Sequence, residues 1–200
     1  GVVQLAGLGM GGLKTEFFTS PDTKHKIRKI VEQNNLNNRP WILCCPISRW
    51  PTKDWPLENF ALLSSYLADD VKLVFSGQCE HREIIHNCVE KMSGGRGINL
   101  AGVLSLSEFS ELTTYAPVVL TGDSFPLHVA EANNRPIVAL FGPTDESRVG
   151  PLGRATLVLR SKNVDCARCY RRSSCRNECI SQISPEQVYE ALQSVAYESI

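Results

Sequence analysis

Nothing gives this chain a charge of one sign. Its 21 Lys and Arg offset its 21 Asp and Glu, so no global field draws it toward nucleic acid or an acidic membrane surface. It has no apolar run near the roughly 20 residues that a transmembrane helix needs. No positively charged stretch leads into an apolar one in the manner of a secretory leader, and no internal repeat or low-complexity tract stands out. What is there is a chain of 200 residues, 42% hydrophobic. That length suits one domain with room for an appendage, and it is enough to bury a core.

From Pro21 onward, helical and β-rich patterns alternate. A helix is expected from Asp22 to about Asn34, with Ile27, Ile30 and Val31 on one face. A strand follows at Trp41 to Cys45, then a helix opened by Pro56 that carries Phe60, Leu63 and Leu67. Val71 to Phe75 reads as a strand, and Glu80 to Met92 as a helix with Ile84, Ile85, Cys88 and Val89 inward. Ile98 to Ala101 is a short strand, and Ser105-x-x-Glu108 is a capping box for a helix to Tyr115. Strands are expected again at Ile137 to Phe141 and Ala155 to Leu159, and Ser184 caps a final helix through Val188, Leu192 and Val195. Such alternation implies an α/β fold with a doubly wound, parallel, Rossmann-like sheet.

The stretch from Gly122 to Gly150 is the most informative. An apolar run, Pro117 to Leu120, reads as a buried strand that ends on Asp123 and Ser124. Pro126 then stands at the start of a helix, where its missing N–H does no harm. Such a helix start faces the carboxyl end of a parallel sheet, where open α/β sheets bind ligands. Free N–H groups and the helix dipole there suit a phosphate. A plain β-α-β crossover would have the same shape; Asp123, Ser124 and His128 concentrated at the turn favour a nucleotide or sugar-phosphate site.

Gly7-x-Gly9-x-x-Gly12 formally matches a dinucleotide fingerprint. The fingerprint needs a long helix directly afterwards and an acid about 20 positions on, and Pro21 comes too soon. Residues 1–20 therefore read as a linker from another domain, and residues 21–200 as the Rossmann-like domain. Of the eight cysteines, Cys44, Cys45, Cys79 and Cys88 fall within expected strands or helices, where cysteine mostly acts as a small buried hydrophobe. Cys166, Cys169, Cys175 and Cys179 cluster in a loop at 165–180. Their spacing is compatible with structural zinc, with an iron–sulfur cluster, or with two local disulfides.

Four stretches, in order from Trp41 to Pro151, carry a resemblance. They are CPISRWPTKDWPLENFALL, FSGQCEHREI, NLAGVLSLSEFSELTTYAPVVLTGDS, and the DS-x-P-L-H-x-A-x-A segment followed by PIVALFGPT. Together they resemble the ADP-heptose:lipopolysaccharide heptosyltransferases, family nine of the glycosyltransferases, and match their C-terminal, donor-binding half. The resemblance implies the GT-B architecture of two Rossmann-like domains. It implies inverting transfer of a heptose-like sugar from a nucleotide diphosphate, ADP-heptose favoured, to the lipopolysaccharide core, with no obligatory metal or other cofactor. It also implies a cytoplasmic enzyme at the inner face of the membrane, and an acceptor domain preceding this chain, which begins with Gly1 rather than Met.

Site residues follow from the same resemblance. Lys53 supplies a cation and Ser48 a hydroxyl for the phosphates, with Arg49 as a helper. Glu80 holds the ribose, whose two hydroxyls a carboxylate can accept. Leu104 packs on the base, and Asp123, Ser124 and His128 line the diphosphate and sugar. His25, His81 and His86 lack such a context. The general base that deprotonates the acceptor is expected outside this chain. Each assignment has a plainer counterpart: a solvated lysine, a turn serine, an acid at a helix start, a core leucine. The family usually has glycine where this chain has Phe125. A phenylalanine limits both close backbone approach and positive φ, which leaves open a non-catalytic nucleotide-sugar-binding or interaction module. A third reading is an interaction domain stapled by metal at the cysteine loop.

Overall fold

The computed structural model describes residues 18–151, 156–161, 164, 166, 168–173, 175 and 178–195. The glycine-rich segment at Gly7, Gly9 and Gly12, and most of the expected linker, lie outside the described residues. Six parallel strands form one sheet in the order β3-β2-β1-β4-β5-β6. They are β1 (Trp41–Cys45), β2 (Lys72–Phe75), β3 (Gly97–Asn99), β4 (Val118–Gly122), β5 (Ile137–Phe141) and β6 (Thr156–Arg160). The register pairs Leu43 with Val74 on one side and with Val119 on the other. The expected doubly wound α/β fold is what the chain adopts.

Burial explains the pattern. Along β1, Ile42 and Cys44 enter one core while Trp41, Leu43 and Cys45 enter the other, as the period-2 geometry of a strand requires. Helices α2 (Leu57–Ser64), α3 (Arg82–Val89) and α8 (Pro185–Val195) cover the first face through Phe60, Leu63, Ile85, Cys88, Val188 and Leu192. Helices α1 (Pro21–Gln33), α4 (Leu106–Tyr115) and α5 (Phe125–Ala132) cover the second through Ile27, Val31, Phe109, Leu112, Leu127 and Val129. Each fully buried Leu, Ile or Phe contributes roughly 1.5–3 kcal/mol of transfer free energy. Two short helices, α6 (Glu146–Val149) and α7 (Glu178–Ser181), complete the described α-helices.

Caps mark the helix starts. Ser20 Oγ accepts from Thr23 N–H at α1. Ser105 and Glu108 form the reciprocal box at α4, with bonds of 3.3 and 2.8 Å. Ser184 and Gln187 form the same exchange at α8. Three expectations need correction. The helix expected from Glu80 begins at Arg82, after a 3-10 turn at Cys79–His81. Ile84 is about half exposed rather than inward. Cys79 is exposed, whereas burial pushes the thiols of Cys44 and Cys45 well up and that of Cys88 up to about 11. Among the described residues no helix is long and apolar enough to cross a membrane.

Candidate functional site

The strand order reverses between β1 and β4, and the loops leaving their carboxyl ends run to opposite sides, which opens a crevice. A cleft of about 990 Å³ occupies that end of the sheet. The loop after β1 supplies Ser48, Arg49, Trp50 and Lys53; the turn after β2 supplies Glu80 and His81. The turn after β3 brings Leu104 and the start of α4. The turn after β4 brings Asp123, Ser124 and Phe125.

Asp54 shapes the first loop. Its Oδ1 accepts from Ser48 N–H at 2.8 Å and from Ser48 Oγ at 2.7 Å. Burial pushes the Asp54 carboxyl above its ordinary range, against the opposing pull of those hydrogen bonds and of His81 and Lys53. Ser48 thus lines the cleft with its hydroxyl hydrogen committed inward. A 3-10 turn at Pro51–Lys53 then aims Lys53 at the end of β4. Lys53 Nζ donates to Asp123 Oδ2 at 2.8 Å and to Asp123 O at 3.0 Å, and it lies 4.3 Å from the Trp50 ring centroid. An ammonium has three donors, so this pair leaves capacity for an incoming anion. Gly122 permits the approach, because a Cβ there would stand 2.9 Å from Lys53 O.

The start of α5 is uncapped by a side chain. Ser124 is extended, with φ −155 and ψ 177. Pro126 has no N–H, and Leu127 N–H is spent on Ser124 O at 3.0 Å, so few backbone donors serve a ligand here. Phe125 is 46% exposed and lines the cleft. It does not adopt positive φ, so the helix accepts it without backbone strain. His128 is exposed one turn along α5 and stands outside the set of cleft-lining residues.

On the other side, Glu80 is exposed on the 3-10 turn after β2, and Leu104 is half-buried against the second core. His81 Nδ1 accepts from Gln78 N–H at 3.2 Å, which fixes the ring at the cleft wall. Gly102, at φ +73, lets the turn after β3 pass Cys79, since a Cβ would meet Cys79 Cα at 2.9 Å. Sequence reasoning did not select His81, Trp50 or Phe109, all of which line the cleft. The position of His81 directly after Glu80 at a strand end was the available signal.

The loop that carries the cysteines braces the site through its other residues. Thr52 Oγ1 donates to Arg171 O at 2.5 Å, and Tyr170 N–H donates to Pro143 O at 2.9 Å. Arg168 pairs with Asp145 at 3.1 Å and Glu146 at 2.7 Å, and the Arg172 guanidinium lies 4.6 Å from the Trp50 centroid. Zinc at Cys166, Cys169, Cys175 and Cys179, one of the three readings their spacing allowed, finds no support in the described geometry. Burial first, and then the neighbouring thiols of Cys166, Cys175 and Cys169, raise the Cys179 thiol. Yet Cys166 and Cys169 are exposed while Cys179 is buried. Among the described residues no three His, Cys, Asp or Glu side chains converge to hold a metal.

Comparison with known proteins fits this geometry. The family model for glycosyltransferase family 9 (heptosyltransferase) matches residues 3–180. Lipopolysaccharide heptosyltransferase 2 of Escherichia coli is 29% identical over 171 residues, covering 80% of this chain and 47% of that protein. The solved ADP-heptose heptosyltransferase II of E. coli superposes with a TM-score of 0.74 at 27% identity, over 90% of this chain and 53% of the other. A family 9 glycosyltransferase from Veillonella parvula gives 0.78 at 26% identity, over 98% and 58%. The chain spans about half the length of the curated relatives it matches.

Proposed function

The chain belongs to glycosyltransferase family 9, and we propose that residues 21–200 form the donor-binding half of a heptosyltransferase of GT-B architecture. The donor is a nucleotide diphosphate sugar, ADP-heptose in the reading favoured here, and the acceptor is a sugar of the lipopolysaccharide core. One observation carries the proposal: the Lys53–Asp123 pair sits at the crevice between β1 and β4, at the mouth of a cleft open enough for a nucleotide. Lys53 offsets the charge of the diphosphate and stabilises it as it leaves, since a cation placed where charge develops acts most strongly in a partly desolvated site. Its side chain is only 15% exposed.

The other contacts follow from their places in the wall. Ser48 and Arg49 flank the phosphates from the β1 loop. Glu80 takes the ribose hydroxyls, and Leu104 meets the base. Asp123 orients Lys53 and Ser124 lies at the α5 start, whereas His128 stands one turn along α5, outside the cleft wall. Asp123 is committed to Lys53 and Asp54 to Ser48, so the base that takes the acceptor proton is proposed to come from the acceptor-binding half. The enzyme works at the cytoplasmic face of the membrane, where its acceptor is presented.

Calorimetry with ADP, ADP-heptose and UDP-sugars tests the reading. Binding of ADP and ADP-heptose in preference to UDP-sugars is expected. No heat with any of them at millimolar ligand overturns the donor site and promotes the interaction-module alternative.

A further inference from the structure

Phe125 is left half exposed in the cleft, and its ring has an aromatic neighbour behind it. It rests on Phe109 with ring centroids 6.2 Å apart and planes at 42°. Phe109 is 6% exposed and belongs to the second core. A phenyl backed by a buried ring and wet in front presents an apolar wall to the cleft, and 6.2 Å lies within the range at which aromatic pairs attract. Leu106, 71% exposed at the start of α4, extends the apolar surface of the same cleft. Helix α5 does not need Phe125 exposed for its own stability, because Leu127, Val129 and Ala130 supply its buried face.

We propose that Phe125 is a specificity-determining residue that packs against the sugar ring of the donor. The assignment rests on the donor-site reading above and follows from order along the cleft. Glu80 and Leu104 stand after β2 and β3, on one side of the Lys53–Asp123 pair. The nucleoside lies on that side and the diphosphate at Lys53. The sugar, bonded to the distal phosphate, extends toward the end of β4 and the start of α5, where Phe125 stands. A pyranose has a face of C–H bonds that covers a phenyl well, whereas the diphosphate has no apolar face to offer. Phe125 therefore favours the complete donor over the free nucleotide and aids exchange of spent nucleotide after transfer.

Titration of the intact protein with ADP and with ADP-heptose tests this, comparing wild type, Phe125→Gly and Phe125→Tyr. Wild type is expected to hold ADP-heptose more tightly than ADP. In Phe125→Gly that preference falls by about three- to tenfold, the range of one aromatic contact, while ADP affinity changes less than twofold. Phe125→Tyr, which keeps the ring, retains the preference. A melting curve for each variant reports folding independently. An unchanged preference in Phe125→Gly overturns the assignment. So does tighter binding of both ligands, which would make Phe125 an obstruction, or an equal loss for both, which would place the ring on the nucleotide. Loss of the preference in Phe125→Tyr also overturns it. If wild type binds ADP, any of these failures belongs to Phe125 alone; if wild type binds neither ligand, the donor reading has failed and this assignment with it.

Discussion

The two ends of the sheet each bury a cation, and they treat it differently. At the amino end, Arg96 precedes β3 and is 8% exposed. Its guanidinium donates to Ser64 O at 2.6 Å, Leu67 O at 3.0 Å and Asp69 Oδ1 at 2.5 Å. Those carbonyls close the C-terminal end of α2, where a positive charge meets the negative end of the helix dipole. At the carboxyl end, the Lys53 ammonium has Asp123 as its hydrogen-bond partner among the described residues, and an open cleft beside it. The first cation is held by carbonyls and a carboxylate of its own fold, whereas the second is oriented by the fold and faces an open cleft. The difference separates a structural charge from one placed for a ligand, although both are largely buried.

Breaking the amino end should have the largest effect, and on stability alone. Arg96→Met leaves the carbonyls of Ser64 and Leu67 buried without their donor, and is expected to cost about 3 kcal/mol. The urea midpoint should fall at constant slope, with ADP affinity unchanged in the folded protein. A fall in ADP affinity would erase the separation between the two ends.

At the carboxyl end the expectation reverses. Lys53→Ala should weaken ADP binding by about 1.5–3 kcal/mol, the range for hydrogen bonds to charged groups. It also strands the Asp123 carboxylate, whose side chain is 7% exposed, so stability falls as well. The paired substitution Lys53→Met with Asp123→Asn removes both charges and separates the effects. Stability should largely recover while ADP binding does not. Recovery of both would show that Lys53 serves the fold, as Arg96 does.

What the sequence made legible follows from the range of the interactions. The limits of β1 and β5 were readable because each is a short, wholly apolar run, and the Ser105–Glu108 box is local chemistry within four residues. Lys53 and Asp123 were readable as strand-end residues, but not as a pair, since 70 positions separate them. The 3-10 turn at Cys79–His81 rests on a side-chain bond from Gln78 to His81 that no periodicity announces. The cysteine loop was read from its thiols, yet its described contacts run through Arg168, Tyr170, Arg171 and Arg172. Thr52 and Arg171 are 119 positions apart, and spacing within the loop carries no trace of such a partner. Phe125 stood out as a departure, and only its packing on Phe109 gave the departure a direction.

The smallest expected effect lies at Asp54 and sharpens the contrast through pH. Burial is the leading cause of its raised pKa, and the hydrogen bonds from Ser48 oppose it without winning. A carboxyl whose folded pKa is raised binds its proton more tightly in the folded state than in the unfolded chain. Its contribution to stability is therefore fully present below the unfolded value and is lost as pH rises through the folded one. Asp54→Asn keeps an oxygen to accept from Ser48 but cannot ionise. The stability of wild type relative to this variant should accordingly decline as pH rises from about 4, the ordinary carboxylate value, and level off once Asp54 has ionised in the folded protein, with the other carboxylates cancelling in the difference. Urea unfolding of both proteins across that range makes the measurement. A difference that grows with pH would mean that Ser48, His81 and Lys53 stabilise the carboxylate more than burial opposes it. The loop bearing Lys53 would then be as fully satisfied as the amino end, and the contrast between the two ends would rest on Lys53 alone.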